Sequence, residues 1–371
     1  MEKLKQRFKV LDSWTIIGLF VTLVVACIFF GSQSEYFFTG RNFLNISRAI
    51  SIRGILAVAV TILLISGSLD LSLAAVAAAA AMATASLMNN GYDPNLAFLG
   101  GILTGAMLGC INAIIVVKFR IPPIIATLGT LLSFRGLGYV FSGGDSIVIG
   151  AQTWAYLGRG TSIFELPVSF LVFTAILIVF WVLLNFSTVG SYIYSIGSDP
   201  DPCRYVGINV DRIRFSLFIF SAIIAAFSGL ILLSQGGTAQ PRALQGAELD
   251  IIAAVLLGGV ALKGGKGSLV GTFLGMCIIG VVNNGSILMN IPAYWQMVFR
   301  GIILIIAVAS ATQDITVDAL RIEQIGENEG RSMQAGAAMA VVGWWTGYKL
   351  GGMIALNVAE YLQQAGFENY W

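Results

Sequence analysis

The 371-residue sequence contains no histidine. That excludes His-based catalytic triads and every metal site built on imidazole. Charge is scarce too. Asp, Glu, Lys and Arg make up 11% of the chain, where a soluble domain carries about a quarter. The net charge is +2 with no basic cluster, so the electrostatic footprint of a nucleic-acid binder is missing. The four cysteines, Cys27, Cys110, Cys203 and Cys277, show no paired spacing, and three lie in apolar runs. They read as small packing residues, and neither a disulfide framework nor a metal site is expected. A catalytic set is lacking as well. The nearest approach to a phosphate loop, Gly264-Gly265-Lys266-Gly267-Ser268, has Val260 where the first glycine should stand. Gly267 also follows the lysine where Ser or Thr is needed. This segment reads as a tight cytoplasmic turn. The chain is expected to be no enzyme, with no bound cofactor and no ATP site of its own.

What is present is apolar sequence: 57% of residues, with a mean hydropathy of +0.85. A span needs about 20 mainly apolar residues. Candidates are 14–33, 53–69, 71–88, 96–117, 121–141, 166–186, 215–235, 249–262, 268–289 and 293–311. Lys3, Lys5, Arg7 and Lys9 precede the first run in the manner of a secretory signal, but Ile28-Phe29-Phe30 carry the run on, and an uncleaved span is expected. The eighth candidate is too short to cross straight and follows a Gly/Pro/Gln stretch, Gly236 to Gly246. A short, interrupted segment at midplane depth must line a cavity or lie within protein. The fold class expected is an all-α polytopic membrane protein of about ten transmembrane helices, with short or broken helices near the midplane.

Basic residues set the orientation. With the N-terminus in the cytoplasm, the inner loops receive Lys118, Arg120, Arg204, Arg212, Arg214, Lys263, Lys266, Arg321 and Arg331 besides the N-terminal group. The outer loops receive Arg41, Arg48, Arg53, Arg159 and Arg242. A pattern also repeats. Gly101, Gly105 and Gly109 precede Phe134-Arg135-Gly136, and Gly267, Gly271 and Gly275 precede Phe299-Arg300-Gly301 at nearly the same spacing. Leu69-Asp70-Leu71 and Leu249-Asp250-Ile251 correspond roughly. Five spans per half make the two repeats run in opposite directions, the inverted-topology arrangement of many transporters.

The glycine triplets lie on one helix face and let helices approach closely. An arginine inside a span costs roughly 2.5–3.5 kcal/mol on insertion scales. Arg135 and Arg300 must therefore anchor to carbonyls or carboxylates or line a wet pathway. Asp70, Glu248 and Asp250 are the carboxylates placed to pair with them or to cap the short segments. Neutral groups within the spans, among them Asn112, Thr127, Thr130, Asn283 and Trp295, suit a hydroxylated solute as well as ordinary packing. The candidate pathway comprises all of these residues. In segment 187–214, Asp199 suits an N-cap, Pro200 a first helical turn and Gly207 a terminator. One or two helical turns are expected there, shaped for docking into a partner's groove.

The chain resembles the permease subunits of bacterial sugar importers of the ATP-binding-cassette class, of the ribose, xylose, galactose and autoinducer-2 type. The resemblance is carried by Gly67-Ser68-Leu69-Asp70-Leu71-Ser72 and by Ile121-Pro122-Pro123 through Thr130 with Arg135-Gly136. Gly197, Arg204 and Gly207-Ile208 add to it, as do Glu248-Leu249-Asp250 through Leu257-Gly258-Gly259 and Gly264-Gly265-Lys266-Gly267-Ser268. It runs from about residue 14 to 314. It implies two permeases in the inner membrane, ATP-binding subunits that use ATP and Mg beneath them, and a periplasmic binding protein above. It also implies a coupling helix around Gly197, Asp201, Arg204 and Gly207. Pro202 and Cys203 stand where the family has two small residues, commonly alanines, so the helix should be shortened or kinked. Residues 315–371 have no counterpart in the family. Within them, 334–358 are expected to lie on the membrane as an interfacial helix. Permeases for nucleosides or branched-chain amino acids share the architecture, and an ion-gradient carrier is the alternative from another class.

Overall fold

A computed structural model describes residues 13–150, 153–162 and 165–324. The expected interfacial helix at 334–358 lies outside them, as do Arg331 and the N-terminal lysines. The long helices up to residue 186 are α1 (Ser13–Gln33), α2 (Gly40–Ile65), α3 (Leu73–Asn89), α4 (Pro94–Ala113), α5 (Pro123–Ser142) and α6 (Val168–Phe186). Two short helices follow, α7 (Thr188–Ser198) and α8 (Pro200–Tyr205). Then come α9 (Val210–Gly236), α10 (Ala247–Leu257), α11 (Leu269–Leu288) and α12 (Ala293–Gln324). Among the described residues, seven helices are long and apolar enough to cross a membrane: α1, α2, α4 (with its continuation to Lys118), α5, α6, α9 and α11. The 17-residue α3 and the Ala293–Ala309 part of α12 are shorter apolar helices. The 11-residue α10 is shorter still, as its interrupted sequence predicts.

The expected boundaries hold to within a few residues except at three places. Span 53–69 begins thirteen residues earlier, at Gly40, where Thr39 caps the helix by accepting from the Asn42 amide at 3.3 Å. Arg41, Arg48 and Arg53 therefore lie in α2, not in an outer loop. Their charges break the apolar run while leaving Asn42, Ile46 and Ile50 buried at helical spacing. Span 293–311 continues as helix to Gln324, through polar sequence. Segment 187–214 holds two helices rather than one, because α7 precedes the expected turn. The all-α expectation also meets a small exception, a two-residue antiparallel pairing of Ile147–Val148 with Thr238–Ala239.

Packing clusters divide the chain into Met1–Arg300 and Gly301–Trp371. At the centre of the first unit stand the two longest spans, α2 and α9. Ser228 and Ser221 of α9 donate to the carbonyls of Ile52 (2.8 Å) and Ala59 (3.4 Å) in α2. Alanine-rich α3 is buried on every side from Leu73 to Ala83, which small side chains permit at close helix spacing. α4 packs against α3 and α9, and α11 packs against α10 and α2. The first glycine triplet makes the α4 contacts. Added Cβ atoms would meet the Ala222 and Phe218 carbonyl oxygens at 2.9 Å from Gly105 and Gly109, and that of Ala80 at 3.1 Å from Gly101. In the second set, Gly275 abuts Ala254 of α10, and Gly271 abuts Gly258 just past its end. Gly267 is not on that helix; it precedes the Ser268 cap of α11.

Candidate functional site

The helices α7 and α8 are separated by a single extended residue, Asp199. Ser187 caps α7 by accepting from the Gly190 amide (3.0 Å), and Asp199 caps α8 by accepting from the Asp201 amide (3.0 Å). Pro200 opens α8, which lasts six residues and ends before Gly207 at φ +84°. Pro202 thus sits within the first turn, where a missing amide hydrogen is tolerated, and shortness rather than a kink is the outcome. Cys203 turns inward and clusters with Ile196 and Val210. The outer face carries Asp201 and Arg204, paired at 2.8 Å. Tyr205 and Val206 protrude at its tip, 90% and 76% exposed.

The other side of this pair is fused to the helices. Gly197 is buried so tightly that a Cβ there would strike the Ile65 carbonyl and approach the Gly265 amide nitrogen at 2.5 Å. That amide donates to the same Ile65 carbonyl at 2.8 Å. Gly265 has φ +74°, a conformation that a side chain would strain. Tyr194 donates to the Gly267 carbonyl at 2.9 Å. Burial pushes its phenol up to about 12, so it remains a donor at neutral pH. The end of α2, the last turn of α7 and the 258–267 turn therefore meet within a few residues of the break at Ser66–Ser72.

That break leads to Asp70, which is 1% exposed. Its carboxylate accepts from the Ser72 amide (2.8 Å), the Ser72 hydroxyl (2.6 Å) and the Asn112 side-chain amide (3.0 Å). Asn112 also donates to Ser72 Oγ at 2.8 Å. Thr127 of α5 accepts from the Leu71 amide at 3.2 Å. Asp70, Asn112 and Thr127 are thus one buried polar cluster that ties α4 and α5 to the start of α3. Asp70 pairs with neither Arg135 nor Arg300. Thr130 bonds within its own helix, to the Thr127 carbonyl (3.4 Å).

Both repeated arginines converge instead on the first turn of α10. Arg135 donates to Glu248 at 2.6 Å and to the carbonyls of Ala243 (3.0 Å) and Pro241 (3.5 Å). Both side chains of the pair are 9% exposed. Arg300 lies 3.7 Å from Asp250 Oδ2, and Arg53 of α2 lies 3.5 Å from the same atom. Sequence reasoning placed Arg53 in a loop. The signal that finds it is the apolar Phe43, Ile46 and Ile50 at helical spacing ahead of it. Trp295 stacks on Phe299, with ring centroids 6.2 Å apart. Asn283 is half-buried and its side-chain nitrogen donates no hydrogen bond, whereas its neighbour Asn284 exchanges two amide bonds with Asn42 (2.8 and 2.9 Å). The arrangement therefore has two centres. The short helices stand against the break before α3, where Asp70 is buried, and the paired carboxylates and guanidiniums gather where α10 begins.

Residues 42–308 match the family described as "Branched-chain amino acid transport system / permease component". The chain is 36% identical to the ribose import permease protein of Bacillus subtilis (strain 168), over 79% of this chain and 90% of that protein. It is 35% identical to the L-arabinose transport system permease protein of Escherichia coli (strain K12), over 81% and 90%. The ribose import permease protein of the same strain is 32% identical, over 78% and 91%. No solved structure matches the chain significantly.

Proposed function

We infer, from the premise that this chain belongs to the branched-chain amino acid transport system / permease component family, that it is the membrane-spanning subunit of an ATP-driven importer for a sugar or sugar-like solute. The observation that carries the reading is the likeness to the two pentose permeases, ribose and arabinose, along some four-fifths of the chain. Members of the family are transport permeases, not enzymes. In this chain ATP and Mg belong to a partner ATP-binding subunit. A periplasmic binding protein delivers the solute, and a second permease, identical or different, completes the path across the inner membrane.

Ten crossings are reached when α3, α10 and the first part of α12 join the seven long helices, in two halves of opposite direction. Support comes from the packing: α4 against α3 and α9 has its counterpart in α11 against α10 and α2. The N-terminus is cytoplasmic in this reading, which puts α7 and α8 beneath the membrane. There, exposed Tyr205, Val206, Asp201 and Arg204 of the α8 region form the face that docks the ATPase. Closure of the ATPase moves α8. The Gly197–Ile65–Gly265 junction carries that movement to the breaks at Asp70 and Asp250. Nucleotide shifts the equilibrium only through a difference in binding between the two states.

The test is reconstitution of the chain in liposomes with its ATP-binding partner and binding protein. Labelled ribose and arabinose should accumulate only with ATP. Accumulation by the chain alone on an imposed ion gradient, or preferential uptake of leucine, overturns the reading.

A further inference from the structure

We propose that Arg53, Asp250 and Arg300 form a solute-contact site that takes a polyhydroxylated solute by its hydroxyl groups; the proposal rests on the importer reading. The three side chains come from three helices, α2, α10 and α12. Asp250 is buried at 2% exposure, yet its Oδ2 has no hydrogen-bond partner. Both arginines stand at ion-pair distance from that one atom, 3.5 and 3.7 Å. The Nε of Arg300 is likewise without a partner. A buried polar atom left unsatisfied in a native structure calls for an explanation, and here an acceptor and a donor are left over side by side.

The arginine side chains are 31% and 34% exposed, so the cluster opens outward from a buried carboxylate. Arginine within a span faces protein interior or a wet cavity, not lipid. Arg135 and Glu248 satisfy each other two residues away, so Asp250 answers two cations alone. The chemistry of a matching ligand follows from the donor and acceptor inventory. A hydroxyl donates to Oδ2 and accepts from a guanidinium at the same time. Two adjacent hydroxyls satisfy the carboxylate and both arginines. A carboxylate-bearing solute only accepts and would set its charge against Oδ2. An ammonium solute only donates and would meet two positive charges.

The experiment uses the full-length chain in lipid nanodiscs. Ribose and ribitol serve as probes, with ribonate and leucine as controls, each at millimolar concentration. Saturation-transfer NMR should show contact with both neutral probes and little with the acid or the amino acid. In Asp250→Asn and Arg53→Gln the contact should fall at least tenfold. In Asp145→Asn, an exposed position outside the site and outside the α8 face, it should be unchanged. Arg53→Gln alters a partly exposed side chain and decides the matter if Asp250→Asn does not fold. Neutral-probe contact that survives in folded Arg53→Gln, a stronger signal for ribonate than for ribitol, or none for either neutral probe in the unaltered chain overturns the proposal. ATP-driven sugar uptake by the assembled importer is measured in parallel. If uptake persists while nanodisc contact ignores Arg53 and Asp250, the site is refuted and the importer reading stands. If no sugar is taken up, the importer reading falls first.

Discussion

Replacing Glu248 with alanine should be among the most damaging single changes in the first unit. The Arg135–Glu248 contact is 2.6 Å long with both side chains 9% exposed, so solvent screens it little. Deleting one partner of a buried pair costs about 3–5 kcal/mol, because the other charge is left buried. Arg135 keeps the Ala243 and Pro241 carbonyls at 3.0 and 3.5 Å, which argues for the lower end, about 3 kcal/mol or roughly 150-fold in the folding equilibrium. Replacing both partners by apolar residues removes the stranded charge. Arg135→Met with Glu248→Leu should therefore lose less than the single variants predict together. The assay is equilibrium unfolding of the detergent-purified chain, run as a double-mutant cycle. If Glu248→Ala unfolds like the unaltered chain, or the two substitutions simply add, the pair is not the clamp inferred here. Transport should fall alongside stability, since the pair holds the 240–248 segment to α5.

Three further outcomes are expected. Gly197→Ala should destabilise by about 1–3 kcal/mol and impair coupling, because its Cβ meets the backbone of residues 65 and 265 and no flexible side chain can yield. Gly129→Ala, with nothing within 4 Å, serves as the neutral control in the same melts. Arg204→Ala and Gly207→Ala should leave the chain folded while ATP hydrolysis by the partner continues without uptake; normal accumulation in both would remove α8 from the coupling path. For orientation, Tyr205→Cys in a chain with Cys27, Cys110, Cys203 and Cys277 replaced should react with an impermeant thiol reagent only from the cytoplasmic side. Cys203 itself is a poor reporter at 5% exposure, and labelling of position 205 from outside would reverse the assignment.

Hydropathy alone located the apolar helices, because the length of apolar sequence a bilayer demands is a local property of the chain. The short tenth helix was readable for the same reason, as were the Asp199 cap and the Gly207 stop, which act over a few residues. The start of α2 was not, since Arg48 and Arg53 interrupt the apolar run and only tertiary partners make a charge tolerable there. The helix α7 was hidden by its glycine, serine and tyrosine content, which reads as loop until Gly197 is seen wedged against Ile65.

The repeated Phe-Arg-Gly motif announced two arginines that needed partners, and three carboxylates were available to them. By itself the sequence determined which charges had to be satisfied. Only the tertiary structure decided that Asp70 turns to Ser72 and Asn112, that Arg135 takes Glu248, and that Arg53 and Arg300 share Asp250. Such pairings join residues as far as about two hundred positions apart, and nothing in local propensity or periodicity reports which distant helix end will arrive beside a given charge.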